Sequence, residues 1–467
     1  MRVLLLNPPK FEGKNILIDP VLTRCCGTHY KAPYLWPPIG LAYIAGCLKG
    51  TVDVSILDAQ AENLSTEQTV RKCEEYDLVV ISTSTPTVNR DIKMCKEISS
   101  EKVKVGLMGG YASQFHKELI LEDGVDFVVR GEPERVLLNL VKNFEARRFG
   151  EVRGLTWKSG NKIFINHAEE PVKNLDSLPF AARELLSKEK YHDIISKKSP
   201  ITFAITSRGC PYRCTFCPSS NVKYRARTPE NVFREMEVIE NEGFKDVMFF
   251  DDTFTIGKER VLKLCSLLDT LNIPWRCLSR VDTVDMEMLE SMYSSGCYQI
   301  HFGVESGDQN MLNKMRKDFE IEQAEQAFKW CYEVGIETVA YLMIGYPGEN
   351  ERTIQKTLNF VKRIQPDFIT FNVFTPLPGT EMFKEVYLEG KDLEDFDLLS
   401  TSFCDMDIEE VQEVIINAYK NYYFNLSYLI RRIMKVKNVG DLHRLAKQTA
   451  KAILGRKSMV WESVKQE

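Results

Sequence analysis

Two stretches of this chain alternate short apolar runs with amphipathic segments, and that alternation leaves few folds open. In residues 1–150 the apolar runs are Val3–Leu6, Val52–Leu57, Leu78–Ser82, Val103–Met108 and Phe127–Val129. Each is as long as a buried strand and rich in Leu or β-branched residues, as parallel strands covered on both faces tend to be. Helix-like segments lie between them at Ile39–Leu48, Thr66–Glu75, Asn89–Ser99 and Glu134–Phe144. This β-α order predicts a doubly wound, Rossmann-like α/β sheet. Such sheets bind ligands beyond the carboxyl ends of their strands. Those ends carry Asn7, Ser82, Ser84, Gly109, Gly110, Gly131 and Glu132, small or polar residues that let backbone approach a ligand. Tight turns use the same residues. No Gly-x-Gly-x-x-Gly follows the first run and no Walker A loop is present, which makes NAD and ATP poor candidates.

Residues 151–198 read as a hairpin around Ser159-Gly160 and then a linker. Over residues 199–385 the alternation resumes, with strand candidates Ile201–Thr206, Asp246–Phe250, Trp275–Ser279, Gln299–Gly303, Glu337–Ile344 and Phe368–Phe374. Six β-α units predict a partial parallel barrel, with functional residues at the carboxyl ends of its strands. Residues 386–467 read as helical. From Ile416 onward they hold 11 Lys and Arg against three Asp and Glu, interleaved with aromatic residues. The expectation is a helical cap on the barrel with a solvated basic face. A basic amphipathic helix on an anionic membrane, touching it through Arg431 and Arg432, is the alternative.

Length and charge narrow the function. A chain of 467 residues has room for two to four domains. Its net charge of −5 argues against a general nucleic-acid binder. No apolar run approaches 18 residues, and the four apolar residues Val3–Leu6 are too few for a signal-peptide core. A cytoplasmic location with reduced thiols is expected. Of 13 cysteines, most lie in apolar periodic segments and read as small buried hydrophobes. Cys25-Cys26 stands in what reads as a polar loop.

Three cysteines differ. The segment Ser207-Arg208-Gly209-Cys210-Pro211-Tyr212-Arg213-Cys214-Thr215-Phe216-Cys217-Pro218 follows the run Ile201–Thr206 directly. Thiolates at C-x3-C-x2-C on one loop can hold three irons of a [4Fe–4S] cluster. The fourth iron is then open to a substrate or cofactor. A structural zinc site would close with four ligands. No fourth Cys or His is near: His192 precedes the loop and His301 is remote in sequence.

Cys210, Cys214 and Cys217, with Phe216 before the third, resemble the radical S-adenosylmethionine (SAM) superfamily. The resemblance implies that SAM chelates the open iron and is cleaved to methionine and a 5′-deoxyadenosyl radical. Asp251 and Asp252 lie in the segment resembling the one that meets the SAM amino group. Arg280 would pair with a carboxylate, Glu305 would accept from ribose hydroxyls, and Gly345 lies in the adenine-like segment. Asn7-Pro8-Pro9, Trp36–Leu41, Gly109-Gly110, Arg130–Glu134, Leu178-Pro179 and Pro376–Thr380 further resemble the subgroup carrying a cobalamin-binding domain before the barrel. That subgroup includes methylases and the anaerobic cyclase of bacteriochlorophyll synthesis. The Asp-x-His-x-x-Gly loop of other cobalamin enzymes is missing, so no His stands out as a lower axial ligand.

The resemblance thus implies cobalamin, SAM and a [4Fe–4S] cluster. It also implies methylation of an unactivated carbon, one SAM charging the cobalamin and a second yielding the radical. Radical cyclisation or oxidation, and a non-catalytic cluster- or cobalamin-binding module, are the alternatives. The expected partners are a small substrate, lipid- or porphyrin-like, and a reductant such as flavodoxin or ferredoxin. No catalytic acid or base can be named from the sequence.

Overall fold

In the first apolar run Val3 and Leu5 point to one side of a sheet and Leu4 and Leu6 to the other, and all four are buried. A strand that buries both faces must be central, with helices above and below it. The computed structural model, which describes residues 1–10, 15–18, 25–29, 34–388 and 402–435, has that arrangement. The described residues form two compact units, residues 1–196 with 200–202, and residues 197–199 with 203 onward.

The first unit is built on five parallel strands, Arg2–Asn7, Asp53–Asp58, Leu78–Ser82, Lys104–Met108 and Phe127–Val129. Numbered along the chain, they stand in the order 2-1-3-4-5. The order reverses between Arg2–Asn7 and Leu78–Ser82, the switch point where doubly wound sheets open a crevice. Helices Ile39–Leu48 and Pro133–Asn143 cover the Val3/Leu5 face. Helix Val88–Ile98 covers the Leu4/Leu6 face with Met94, Cys95 and Ile98. The hairpin Leu155–Ser159/Lys162–Ile165 pairs antiparallel with Phe127–Val129 and extends this sheet. Cys25-Cys26 require a correction: they begin the strand Cys25–His29, paired with Asn15–Ile18, so they are not in a loop. Their run of small and polar residues masked that pairing.

The second unit holds the six-stranded sheet Ile201–Ala204, Asp246–Phe249, Trp275–Ser279, Cys297–Glu305, Glu337–Ile344 and Phe368–Val373, adjacent in chain order. Parallel registers run from Asp246–Phe249 through to Phe368–Val373. Alternate residues, among them Phe249, Cys277, Ile300, Phe302, Ala340, Leu342 and Phe371, pack with helix residues such as Leu264 and Phe328. By the two-residue period of a strand, Leu278, His301, Gly303, Tyr341, Met343 and Thr370 face the opposite, inner side.

Among the described residues three helices follow, Glu381–Leu388, Ile408–Tyr423 and Leu426–Met434. The last strand would otherwise present unpaired N–H groups. Instead, Tyr423 and Tyr419, one helical turn apart, accept from the N–H of Ile369 (3.0 Å) and of Phe371 (2.9 Å). Arg432 is only 4% exposed and pairs with Asp367 (2.9 Å) and Glu337 (3.3 Å). Arg431 donates to the Pro366 carbonyl at 3.1 Å. The reading of these two arginines as a membrane face is thereby corrected: buried carboxylates of the barrel draw Arg432 inward, and the Pro366 carbonyl holds Arg431. Among the described residues, no helix is long and apolar enough to cross a membrane.

Candidate active site

The cysteine loop is shaped by its glycine. Gly209 adopts φ +78°, and a Cβ there would come within 2.7 Å of the Lys223 carbonyl, so this position requires glycine. The Cys210 N–H donates to the Val222 carbonyl (3.3 Å), and the Thr215 N–H to the Met315 carbonyl (3.2 Å). Thr215 also shares a 2.7 Å hydrogen bond with the Tyr346 hydroxyl. Phe216 packs among Met311, Met315, Tyr346 and Phe374. The loop is thus tied at both ends and along its aromatic residue.

The thiols sit in a polar, cationic setting. Cys210 Sγ is 3.8 Å from the Thr253 hydroxyl, and Arg280 Nη1 is 3.7 Å from Cys214 Sγ. Burial pushes the Cys214 thiol up, while the positive charges of Lys317 and Arg280 pull it back toward thiolate. Among the described residues no three His, Cys, Asp or Glu side chains converge on one metal-ion position. A cubane cluster needs no such convergence, because each thiolate takes its own iron. Three buried or half-buried thiols beside a cationic donor suit such a cluster.

Asp251 is buried and accepts from the Thr206 N–H (2.6 Å), the Thr206 hydroxyl and the Ser207 hydroxyl (2.9 Å). It therefore anchors the segment entering the cysteine loop. Burial holds its carboxyl above the usual range, opposed by Arg260. Asp252 accepts from Ser219, just past Cys217. Arg280 lies 3.5 Å from the Tyr212 ring centre and pairs with Asp282 at 2.9 Å. Its carboxylate partner here is thus one of the protein's own.

Glu305 ends its strand at a bulge, with φ +65°. It pairs with the buried ammonium of Lys317 at 3.1 Å. Sequence reasoning missed Lys317, because a lysine between Arg316 and Asp318 looks like a solvated surface residue. Both neighbours take positive φ, 53° and 51°, a costly backbone that turns Lys317 inward. Gly345, at φ +92°, donates its N–H to Glu349 Oε2 (2.7 Å). Glu349 is fully buried, and burial pushes its carboxyl up to about 7. Among the described residues its Oε1 has no hydrogen-bond partner.

In the first unit the strand-end residues divide into two groups. Gly109, at φ +130°, and Gly131, at φ +77°, are joined through Ser113, which donates to the Gly109 carbonyl (2.9 Å) and accepts from the Gly131 N–H (3.0 Å). Gly110 opens the short helix that carries Ser113. A Cβ at Gly131 would meet nothing within 4 Å, leaving backbone exposed to a ligand. The others are committed to the fold. Asn7 donates to the buried Asp58 at 2.9 Å. Ser82 is buried in its strand, and Ser84 bonds Thr87 at 3.0 Å within a turn. Glu132 accepts from the Val172 N–H at 2.9 Å. Asp58, a hub that also accepts from Tyr191 at 3.1 Å, carried no signal in the sequence.

A three-thiol loop at the carboxyl ends of a partial barrel, in a chain that also folds a doubly wound α/β unit, defines a cluster-bearing radical enzyme. Comparison with known proteins agrees. The Radical SAM superfamily model matches residues 204–361, and the B12 binding domain model matches residues 29–141. An uncharacterized methyltransferase of Pyrococcus horikoshii is 30% identical over 398 residues, covering 82% of this chain and 83% of its own. The anaerobic magnesium-protoporphyrin IX monomethyl ester cyclase of Rubrivivax gelatinosus is 29% identical over 424 residues, covering 84% and 75%. The fold also matches the cobalamin-dependent SAM radical enzyme OxsB, solved with aqua-cobalamin and SAM, at TM-score 0.72 and 16% identity over 97% of this chain and 71% of that one. The chain belongs to the cobalamin-binding radical SAM family. It is an enzyme of that family, with a radical SAM domain and a B12 binding domain.

Proposed function

We propose that this enzyme transfers a methyl group to an unactivated carbon of a small, largely apolar substrate. The observation carrying this reading is the loop of three cysteines without a fourth ligand, in a chain similar to a methyltransferase over most of its length. Cys210, Cys214 and Cys217 hold the cluster, and Arg280 steadies the Cys214 thiolate. Glu305, Lys317 and the Gly345 turn bound the SAM end of the barrel, and Asp251 and Asp252 hold the cysteine loop in register. Within residues 1–150, in the first unit, the backbone at Gly109, Gly110 and Gly131 receives cobalamin. When bound, these groups supply a carbon-centred radical and a transferable methyl. A flavodoxin or ferredoxin supplies the electron.

Radical cyclisation or oxidation is the second reading, favoured by the cyclase at nearly equal identity and coverage. Methyl-deuterated SAM separates the two. A deuterated methyl in the product supports methyl transfer, whereas 5′-deoxyadenosine with an unlabelled, oxidised or ring-closed product supports the other. Cys214→Ala should abolish 5′-deoxyadenosine under reducing, anaerobic conditions. Retained cleavage would sink both readings.

A further inference from the structure

On the inner face of the second unit's sheet, His301 is buried between Tyr341 and Gln299. The Tyr341 hydroxyl lies 2.8 Å from His301 Nδ1, and Gln299 Oε1 lies 2.8 Å from His301 Nε2. Gln299 Nε2 in turn reaches Glu337 Oε2 at 3.4 Å, and Glu337 pairs with Arg432. The chain of partners fixes every proton. A carboxylate only accepts, so the Gln299 amide NH2 faces Glu337 and its oxygen faces the imidazole. Nε2 must then carry the hydrogen. Burial, reinforced by Arg276, holds His301 well below its ordinary value, so the ring is neutral and Nδ1 has a lone pair. The Tyr341 hydroxyl therefore donates to His301, and its oxygen meets any further partner as an acceptor.

The position suits a ligand. Along Glu337–Ile344, Tyr341 and Met343 are half-buried where their neighbours Ala340, Leu342 and Ile344 are buried against helices. Tyr341 pairs in register with Gly303 on one side and Thr370 on the other. A Cβ at Gly303 would meet Glu305 Oε1 at 2.8 Å and Lys317 Nζ at 3.2 Å, so that ion pair lies over the strand position next to Tyr341. The same face carries Leu278 and Met343, both half-buried, and Phe203 stacked on Phe250 at 5.1 Å, together with Arg276, Gln299 and Thr370. An acceptor whose direction is set by a buried partner can orient a ligand that packs beside these side chains.

We propose that Tyr341 is a substrate-binding residue, oriented by His301, that accepts a hydrogen bond from a hydroxyl group of the substrate. His301 is a positioning residue. The inference rests on the reading of the barrel as the catalytic chamber. The test uses full-length enzyme reconstituted with iron, sulfide and hydroxocobalamin, methyl-deuterated SAM, and an anaerobic small-molecule extract of the producing cells as probe. Tyr341→Phe should lower the yield of extract-derived product per 5′-deoxyadenosine at least tenfold. Iron, cobalt and extract-free 5′-deoxyadenosine should stay at wild-type levels. An unchanged yield ratio, or equal loss of extract-free cleavage, would overturn the proposal. If the extract stimulates 5′-deoxyadenosine without deuterated product, methyl transfer fails as a reading, and the stimulated rate serves for the same comparison. Independently, ¹⁵N-histidine spectra, assigned through His301→Gln, should show hydrogen on Nε2 of His301. Hydrogen on Nδ1 would make Tyr341 the acceptor from His301, leave its hydroxyl to donate to a ligand, and overturn the assignment.

Discussion

The guanidinium of Arg280 stands 3.7 Å from the sulfur of Cys214. Arg280 is held there by the Tyr212 ring, by Asp282 and by a bond to the Lys317 carbonyl, so its donor is fixed on the cysteine loop. Hydrogen bonds to cluster sulfur raise the reduction potential, because they stabilise the more negative reduced state. Arg280→Leu should therefore lower the potential. A loss of about 1.4 kcal/mol of differential stabilisation is about 60 mV for one electron. Redox titration followed by electron paramagnetic resonance checks this, and an unshifted potential would separate Arg280 from the cluster.

Gly209 takes a left-handed backbone with carbonyl oxygens packed where a side chain would start. Gly209→Ala should strain the loop by ~1–3 kcal/mol. Reconstituted iron per chain is expected to fall below half that of wild type, while circular dichroism stays unchanged. Full iron loading would show that the loop tolerates a side chain.

Glu349 gives a pH prediction with a definite sign. Its carboxyl sits at about 7 in the fold against 4.5 ordinarily, so the folded state holds the proton more tightly than the unfolded one. Wild-type stability should therefore fall as pH rises from the unfolded value through the folded one, by up to ~3 kcal/mol. Glu349→Gln keeps an acceptor for the Gly345 N–H and carries no such penalty. Urea unfolding at pH 5 and pH 8 should show the variant gaining on wild type as pH rises. A constant difference would contradict the assignment.

Asp367 is buried with two cations on one oxygen, Arg432 at 2.9 Å and Lys435 at 2.5 Å. Removing one partner from a buried network leaves uncompensated charge, a cost of about 3–5 kcal/mol. Asp367→Asn should lower the thermal midpoint by several degrees without altering cluster content. Loss of iron at unchanged stability would instead place this network in the site.

What could be read in advance follows from the range of the forces involved. Trp275–Ser279 and Glu337–Ile344 announced themselves because burial on a sheet writes a local pattern. The cysteine loop was legible because thiol spacing is itself the chemistry. Lys317 was not, since a left-handed turn between two charged residues leaves no mark in composition. Nor was the His301–Tyr341 pair, which joins residues 40 apart through strand register alone. Arg431 and Arg432 were open to a surface reading because their carboxylate and carbonyl partners lie more than 60 residues earlier in the chain.

Tyr419 and Tyr423 end the barrel sheet with side chains where a seventh strand would otherwise stand. An edge strand with open amides is a template on which another copy can grow. Here two phenols one helical turn apart occupy those amides, so polymerisation through this edge is refused by side-chain chemistry. A chain truncated before Ile408 should expose that template and self-associate through it, although every cluster cysteine is retained. The last two helices thus close a sheet edge at a distance in sequence from all of the chain's chemistry.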